Sequence, residues 1–580
     1  MMTDEEILKK LEDSTKNAAR NQLETLQSIL ERQTGVRYLR PYLSAYSKPV
    51  DAATYKRAVP LSCYDDYADL INQLASGHFD HDQDDQPLLS VDPLACFFYS
   101  SGTSSSSMKP KLIPYYDSAL SKAASQIAHQ GSGAILRRLF PPKHDVNKIL
   151  CFIYADNITT TKSGFKVMAA SAFPLQGSRN KNWSQLSRFS SPREVIIGSN
   201  MQQQIYCHLL CGLRNSEIID GIITPYGIGL IRVFSLLESN WEKLCDDLEN
   251  GYPCLDVTEV AMRDSVIEVL GGPQPDLSKR IRSICRESDW GGIVSKLWPN
   301  IRYVKCITTG SMNQYYSKIK YYAREVPVLG GDYFASECCV GINLDLAQPP
   351  EKTRFVMLPT AAYFEFLPFD MERSEVVGEE TVDFSGVEIG KMYEVIVTTY
   401  RGFYRYRLGD IVKVVGFYNY SPQVEFVMRA PKSSFEMITE RNLMSAMESL
   451  QMVLRNVMAA EIVEFASFMN LDVSPKKLML FVEVRGMELQ DSVADFRRCC
   501  SSLEDAFGSI YKVQKDRGEI SPLLISIVKP GSFDRLLQVA IETGAPASQY
   551  KPPKIIRNHE TVAFMEGCSL LTVSLDSLDG

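Results

Sequence analysis

The sequence has little of what marks nucleic-acid-binding, secreted or disulfide-rich proteins. It carries 62 Lys and Arg against 70 Asp and Glu, a net charge of -8, and no basic run longer than three residues. Because phosphates repel such a chain, we expect no nucleic-acid partner. Its 14 cysteines form no Cys-x-x-Cys pair, which predicts reduced thiols and a cytoplasmic location.

A secretory leader and a long uncharged apolar segment are also missing from the sequence. The N-terminus is acidic, and Thr3 with Glu6 predicts a capping box that opens a helix. The most apolar long stretch, 218–237, contains an aspartate, a proline and an arginine, which are costly inside a bilayer. We therefore expect no secretory signal and no membrane association.

What is present is the composition of a globular protein of 580 residues, 45% hydrophobic and 23% charged. Apolar positions at helical spacing predict one or two amphipathic helices before residue 45. From residue 94 to about 425, short apolar runs alternate with helical patterns, which predicts an α/β fold of mixed sheets and helices. The predicted strands are 94–99, 149–154, 194–197, 301–307, 327–329 and 393–399.

The pattern changes in the last third of the chain. Residues 393–400 and 403–415 predict a hairpin that turns at Arg401-Gly402, and a strand at 424–428 extends it into a barrel-like subdomain. A Pro- and Ser-containing stretch then predicts a hinge at 429–441. The remainder predicts a smaller α+β domain with helices at 442–460, 491–507 and 533–542 and strands at 477–483 and 523–528.

A hydroxyl-rich loop follows the strand predicted at 94–99. Residues 100–107 read Ser-Ser-Gly-Thr-Ser-Ser-Ser-Ser, and Lys109 and Lys111 stand at the far end. Hydroxyls, backbone N–H groups and a cation that face one point predict a polyphosphate site. The ATPase P-loop is excluded, since no glycine directly precedes either lysine. A flexible surface linker is the alternative for so serine-rich a stretch.

Two more motifs follow predicted strands. In 331–337, the Tyr333 ring can stack on a base, and the Glu337 carboxylate can hold Mg²⁺ against phosphate oxygens. In 404–410, the Asp410 carboxylate can accept hydrogen bonds from the vicinal hydroxyls of a ribose. Taken singly, these motifs are equally typical of a core tyrosine with a surface glutamate and of an ordinary Gly-Asp turn.

Together, Ser-Ser-Gly-Thr-Ser at 100–104, Tyr-x-Ala-Ser-Glu at 333–337 and Tyr-Arg-x-Gly-Asp at 406–410 resemble the three nucleotide motifs of the adenylate-forming superfamily. More closely, the chain resembles the plant acyl-acid amido synthetases, the auxin-responsive GH-three (GH3) family. The segments that carry this closer resemblance are spread over nearly the whole chain: 206–213, 309–312, 362–366, 402–407, 416–419 and 549–553.

The resemblance implies a two-step reaction. ATP and a carboxylic acid would give an acyl-adenylate and pyrophosphate, and the amine of an amino acid would then attack the activated carbonyl to give an amide and AMP. It implies ATP and Mg²⁺ as cofactors and a small plant-hormone-like acid and an amino acid as partners. We expect the protein to act as a monomer.

The resemblance also assigns roles to residues of this chain. The phosphate contacts would be Ser100, Ser101, Thr103 and Ser104. Tyr333 would contact the AMP moiety with Ser336 beside it, Asp410 would hold the ribose, and Glu337 would ligate Mg²⁺. Lys551 would approach the phosphates and, with Glu337, act in catalysis.

The same resemblance implies how the domains divide the work. A large N-terminal adenylation domain, 1–428, would hold the acid and nucleotide sites. A mobile C-terminal domain, 442–580, would carry Lys551 and swing about the hinge at 429–441 between the two half-reactions.

The helix predicted at 117–136 is rich in Ala and Gly, and small side chains facing a pocket would leave room for an indole-alkanoic acid. We name Ala123, Ala124, His129 and Thr160 as acyl-pocket candidates. The alternative is that alanine is simply the best helix former. Cys207 directly precedes His208, and Cys211 follows it three residues later. This segment fits a packed core helix better than a metal site.

Two positions depart from the family pattern. The loop lacks a glycine within 105–107, which restricts close backbone approach to phosphates, and Met437 stands where relatives carry a lysine. Two other functions therefore stay open, a non-catalytic acid- or nucleotide-binding protein and a thioester ligase that shares the first half-reaction. The sequence ranks neither the acids nor the acceptor amino acids, of which the family suggests Glu, Gln or Asp.

Overall fold

The fold is that of a computed structural model of the chain. The residues it describes are 2–77, 86–100, 110–155, 157–176, 187–287, 289–371, 373, 375–378, 380–431, 438–486, 493–500, 503–547 and 550–575.

The helices of the described part are numbered α1 to α18 in chain order. Their bounds are α1 Asp4–Lys16, α2 Ala18–Gln33, α3 Arg40–Leu43, α4 Ala52–Ala58, α5 Asp65–Ser76, α6 Ala119–Leu139, α7 Arg193–Ile196, α8 Met201–Arg214, α9 Gly227–Asn250, α10 Val260–Leu270, α11 Pro275–Arg286, α12 Ile293–Leu297, α13 Tyr316–Ala323, α14 Glu440–Met458, α15 Val493–Cys500, α16 Ser509–Asp516, α17 Ser532–Glu542 and α18 His559–Gly567. The predicted capping box is confirmed, since Thr3 and Glu6 exchange both hydrogen bonds at the start of α1.

The strands are numbered in the same way. Their bounds are β1 Leu94–Tyr99, β2 Leu112–Tyr116, β3 Lys148–Cys151, β4 Thr159–Thr160, β5 Lys166–Ala169, β6 Ile219–Tyr226, β7 Tyr303–Ile307, β8 Val328–Gly330, β9 Tyr333–Phe334, β10 Cys339–Ile342, β11 Phe355–Met357, β12 Tyr363–Asp370, β13 Glu375–Val376, β14 Val382–Asp383, β15 Met392–Thr398, β16 Tyr406–Tyr418, β17 Ser421–Arg429, β18 Glu461–Asn470, β19 Lys477–Arg485, β20 Leu524–Val528 and β21 Ser569–Ser574.

In the described residues these strands form four sheets. A small sheet runs β2-β1-β5-β4, and a parallel sheet runs β3-β6-β7-β8. The parallel sheet shares an apolar core with α8, α9 and the helices up to α13. Both faces of its strands are therefore buried, as is usual for parallel sheets. The α/β prediction is confirmed by this alternation of strands and helices.

The largest sheet has nine antiparallel strands in the order β13-β12-β15-β16-β17-β11-β10-β9, with β14 on β12. The predicted hairpin is confirmed, as β15 pairs with β16 and β16 with β17. The sheet has two ends in this order, so the barrel-like expectation is replaced by one long open sheet. One face of it packs with β1, β2 and the N-terminal helices in a single core.

The C-terminal domain is a four-stranded sheet, β18-β19-β20-β21, with helices on both faces. Here the sequence pattern locates α14, β19, β20 and α17 and misses β18, β21, α16 and α18. Of the helix predicted at 491–507, the described residues form α15 and a 3₁₀ turn at Leu503–Phe507.

Two other predictions can be compared directly. The strand predicted at 194–197 is wrong, because these residues form the short helix α7. The helix around His208 is buried along most of its length, as a packed core helix should be, and burial lowers the pKa of this histidine to about 3. No described helix combines the length and hydropathy of a bilayer crossing.

A buried ion pair ties the end of the β15–β16 connection to β12. Arg405 donates through Nη2 to Glu365 Oε1 at 2.8 Å, and the two side chains are 8% and 1% exposed. Arg405 Nη1 also donates to the backbone oxygen of Val59 at 2.8 Å, which joins α4 to the large sheet.

Replacing Arg405 by Ala should therefore destabilise the protein by about 3–5 kcal/mol, because the Glu365 charge stays buried without its partner. Urea unfolding measures the loss. The control is Arg354→Ala, which removes a half-exposed pair with Glu425 and should cost about 0–1 kcal/mol. Equal losses in both variants would contradict the structural role of the buried pair.

Candidate functional site

The site lies at one edge of the parallel sheet. The strands β6, β7 and β8 run in the same direction, so their carboxyl ends, at Tyr226, Ile307 and Gly330, meet at this edge. Ligands of α/β sheets bind at such an edge. The chain leaving β8 carries Tyr333 and Glu337 directly into this position.

Tyr333 and Asp410 meet although they are distant in sequence. The Tyr333 hydroxyl donates to Asp410 Oδ2 at 2.6 Å, and both residues are buried. Burial and the neighbouring Asp410 charge raise the pKa of Tyr333 well above its usual range, so it stays a neutral donor. Gly409, with φ +75°, supplies the left-handed conformation just before Asp410.

Arg429 is the cation opposite Asp410. The two residues are paired across β16 and β17, and Arg429 Nη1 lies 2.7 Å from Asp410 Oδ1, an ion pair without hydrogen-bond geometry. The Asp410 charge raises the pKa of Arg429 further. A carboxylate has about four acceptor positions, so Asp410 keeps room for the two hydroxyls of a ribose.

Glu337 is a half-buried carboxylate close to this pair. Burial raises the pKa of Glu337, and the negative charge of Asp410 raises it further. The positive charges of Arg429 and Lys111 lower it in part. Lys111 lies with its Nζ 4.6 Å from the Tyr64 ring centre, and burial lowers its pKa. The ionised form of Glu337 is thus costly unless another cation joins it.

Lys551 reaches the same place from the C-terminal domain. Its Nζ lies 4.1 Å from the centre of the Tyr226 ring, at the end of β6. Burial and the positive charge of Arg429 lower the pKa of Lys551 to about 8, while Asp410 and Glu440 oppose the shift. Residues of both domains therefore lie close together at this edge of the sheet.

A second contact between the domains holds the segment that carries Lys551. The Tyr315 hydroxyl of the large domain donates to Glu464 Oε2 at 2.5 Å, and Glu464 forms a buried ion pair with Lys554. The Lys554 backbone oxygen accepts from Ser467 N at 2.8 Å, which fixes the segment to β18. We call Tyr315, Glu464 and Lys554 the interdomain triad.

A small cleft adjoins Glu337 on the side of α6. It is lined by Ser121, Ala124, Ser125, Glu337, Cys338, Cys339, Ala361, Thr399, Tyr400 and Arg401. Of the four acyl-pocket candidates, Ala124 is the one on this lining. His129 lies further along α6 with its ring 4.8 Å from that of Phe334, and crowding by protein atoms lowers its pKa although it is solvent-accessible.

The small residues of α6 require a correction. Ala128, Gly131 and Ala134 are buried, and a Cβ on Gly131 would lie 3.6 Å from Ile342 and 3.8 Å from Leu11. They bring α6 close to α1 and β10, so they leave no pocket volume. Ala123 is exposed on the same helix, and Thr160 is exposed on the edge strand β4.

The phosphate loop falls largely outside the description. Ser101, Thr103, Ser104 and Lys109 lie outside the described residues, as does Met437. Ser100 is described, with its N–H bonded to the Lys111 backbone oxygen at 3.0 Å, so the two ends of the loop are adjacent. Ser336 Oγ donates to the backbone oxygen of Tyr99 at 3.4 Å. This bond places the end of β1, the strand before the loop, against the segment that carries Glu337.

The structure thus brings Tyr333, Glu337, Asp410 and Lys551 together, with the start of the loop next to them. Sequence reasoning missed Tyr226, Arg401 and Arg429. For Tyr226 a signal existed, since Pro225-Tyr226-Gly227 stands where an apolar strand changes to a helix.

Comparisons with known proteins cover the same regions. The chain matches the GH3 family N-terminal domain over residues 7–328, the GH3 family central domain over 355–429 and the GH3 family C-terminal domain over 441–560. The central match ends at Arg429, and the C-terminal match begins at Arg441.

Individual relatives agree with these matches. The chain is 47% identical over 403 residues, 67% of its length and 82% of the relative's, to a probable indole-3-acetic acid-amido synthetase of Oryza sativa subsp. japonica. It is 33% identical, over 95% of its length and 94% of the relative's, to a jasmonoyl–L-amino acid synthetase of the same organism. A solved structure, the GH3.15 acyl acid amido synthetase, superposes with a TM-score of 0.86 at 27% identity, covering 100% of this chain and 99% of that one.

Proposed function

The chain belongs to the GH3 family, and on that premise we propose that it is an ATP-dependent acyl-acid amido synthetase. ATP and a carboxylic acid give an acyl-adenylate and pyrophosphate, and the amine of an amino acid then displaces AMP to form an amide. The observation that carries the proposal is the proximity of Tyr333, Glu337, Asp410 and Lys551 at one edge of the parallel sheet. Three separate sequence motifs and both domains contribute to it.

Each of these side chains fits a part of the reaction. Asp410, held by Tyr333, offers charged acceptors to the ribose hydroxyls. Lys551 brings a positive charge to the phosphates during adenylation, and such positioned charge supplies most of the catalysis in phosphoryl-type transfers. Glu337 fits Mg²⁺, because its half-buried carboxylate becomes stable as an anion when a further cation is near. When bound, Mg²⁺ would neutralise phosphate charge.

The transfer step requires that the amine reach the activated carbonyl. We propose that the C-terminal domain, attached through 429–441, rotates and withdraws Lys551 after adenylation. The packing of Lys551 against Tyr226 supports assignment of the present arrangement to the adenylation step.

For the donor we propose indole-3-acetic acid as the first acid to test. The relative with 47% identity bears that acid in its name. All cysteines are free thiols, which supports a reducing, cytoplasmic setting.

Mass spectrometry of products from a matrix of carboxylic acids against the standard amino acids, with MgATP, tests the proposal. We expect an amide and AMP for at least one pair. In a parallel reaction, coenzyme A replaces the amino acid. A thioester in that reaction, with no amide from any amino acid, would assign the chain to the thioester ligases. No pyrophosphate release with any acid would leave a binding protein of the same fold.

The interdomain triad gives a prediction for this reaction. Tyr315→Phe removes one hydroxyl that bonds a charged group across the domain interface, so the adenylation arrangement loses stability. The rate of acyl-adenylate formation, measured by pyrophosphate exchange, should fall about 10-fold. Amide formation from a supplied acyl-adenylate should stay the same.

The matched control is Tyr322→Phe, which removes a hydroxyl bonded to Glu238 at 2.7 Å within the large domain. It breaks a similar bond whose two partners both belong to the large domain. If Tyr322→Phe slows adenylation as much as Tyr315→Phe, the effect is one of general stability and the interdomain role is wrong.

A further inference from the structure

Arg401 is a buried cation in the turn between β15 and β16. It is 8% exposed, and its guanidinium lies over the rings of Tyr115 and Phe98, at 5.0 and 5.6 Å from their centres. These two aromatic residues belong to β2 and β1, the strands on either side of the phosphate loop. The charge is therefore fixed next to the proposed active site.

Two hydrogen bonds join the Arg401 guanidinium to other described residues. Nη1 donates to the Ser336 backbone oxygen, and Nη2 makes a long contact of 3.5 Å with Ser125 Oγ. A guanidinium has five N–H donors. Within the described residues, Arg401 has no carboxylate partner, and the loop 101–109 contains no Asp or Glu at all.

A buried charge without a counter-charge is unfavourable, so such a group usually faces a ligand or an ion. Arg401 lines the same cleft as Glu337 and Ser125. An anion bound in this cleft would meet the free N–H groups of Arg401 on one side and the Mg²⁺ proposed at Glu337 on the other.

We propose that Arg401 binds the carboxylate of the acid substrate and orients it for attack on the nucleotide. The assignment rests on the proposed function. The phosphates have other cations to meet, since Lys111 follows the phosphate loop and Lys551 lies on Tyr226 at the end of β6. Two anions remain, the donor acid and the carboxylate of the acceptor amino acid. The carboxylate of the donor is the one that must react beside the metal proposed at Glu337, and Arg401 lines the same cleft as Glu337. The planar guanidinium matches a carboxylate with two parallel hydrogen bonds.

This assignment also explains the neutral part of the cleft. The serine hydroxyls of α6 can complete the hydrogen bonds of the carboxylate, while Ala124 and Ala361 border the body of the acid. Arg401 thus selects an anionic donor.

Direct binding tests the proposal without catalysis. Each acid of the matrix and its uncharged primary amide are titrated calorimetrically into the wild-type protein, Arg401→Met and Arg401→Lys. We expect the wild type to bind a carboxylate about 10- to 100-fold more tightly than the amide, and Arg401→Met to lose that preference. Arg401→Lys should keep part of it, because the charge remains and the fork is lost.

A second variant guards against failure of Arg401→Met to fold. Ser125→Asp places a carboxylate beside Nη2 in the cleft, so it should occupy Arg401 and remove the preference for the acid over its amide. ATP affinity should not change in any folded variant. Equal preference for the carboxylate in wild type and variants overturns the assignment.

The two proposals fail in different ways. If the wild type discriminates acid from amide through Arg401 yet makes no amide product, the proposed synthetase activity fails and the Arg401 site stands. If the amide product forms and Arg401→Met keeps the preference, the synthetase activity stands and the Arg401 site is wrong.

Discussion

Replacing Lys551 by Ala should lower the rate of acyl-adenylate formation by about 10²- to 10³-fold, the range expected when one positioned charge is removed from a transition state. The C-terminal domain brings the cation of Lys551 to the edge of the parallel sheet, where it packs on Tyr226. Pyrophosphate exchange with saturating acid and ATP measures the loss. Thermal unfolding of the variant should match that of the wild type, because the ammonium is only half-buried.

The second half-reaction supplies the control for Lys551→Ala. Amide formation from a chemically prepared acyl-adenylate and an amino acid should keep its rate, since the proposed rotation removes Lys551 from the site before transfer. Lys551→Arg preserves the charge and should recover much of the adenylation rate. Equal losses in both half-reactions would show that Lys551 stabilises the fold and not the adenylation step.

The pH dependence of the first half-reaction follows from the pKa of Lys551, which is lowered to about 8. Below this pH the side chain is protonated and carries the charge that the phosphates need. As pH rises through about 8, the charge is lost and kcat/KM for adenylation should fall. Lys551→Ala should lack this alkaline limb, whereas a limb that persists in the variant belongs to another group.

The sequence was sufficient where a local pattern contains the whole signal. The strand β1, the hairpin of β15 and β16 and the motifs that end at Glu337 and Asp410 each follow from neighbouring residues. Short apolar runs carry less information about secondary structure. The prediction for 194–197 was wrong because four residues fit the period of a strand and that of a helix equally well. The small residues of α6 misled for a related reason, since composition does not tell which face of a helix meets protein.

The missed residues share a different cause. Arg429 reaches Asp410 only through the register of β16 and β17, and Arg401 reaches Ser336 across 65 positions of sequence. Glu464 and Tyr315 belong to different domains. Contacts of this kind are set by tertiary packing, so neither periodicity nor a motif predicts them.

Glu337→Gln should lower the rate of adenylation by about 10²- to 10³-fold. This is the effect expected when metal-assisted catalysis loses several kcal/mol of charge stabilisation in the transition state. The amide keeps the size and hydrogen-bonding shape of the carboxylate but cannot neutralise a divalent cation. The rate of pyrophosphate exchange, measured over a range of Mg²⁺ concentrations, should show a much higher Mg²⁺ requirement. Glu337→Asp, which keeps the charge at a shorter reach, should lie between the variant and the wild type.

The acid limb of the wild-type profile tests the same assignment independently. Burial raises the pKa of Glu337, so its carboxylate takes up a proton at a higher pH than an ordinary glutamate. Because Mg²⁺ binds the ionised form, affinity for the metal should fall as pH drops through that raised pKa, and excess Mg²⁺ should shift the limb to lower pH. Glu337→Gln has no such proton to lose. A Mg²⁺-dependent acid limb in that variant would place the metal on another group, and Glu337 would then keep only a structural role beside Arg429.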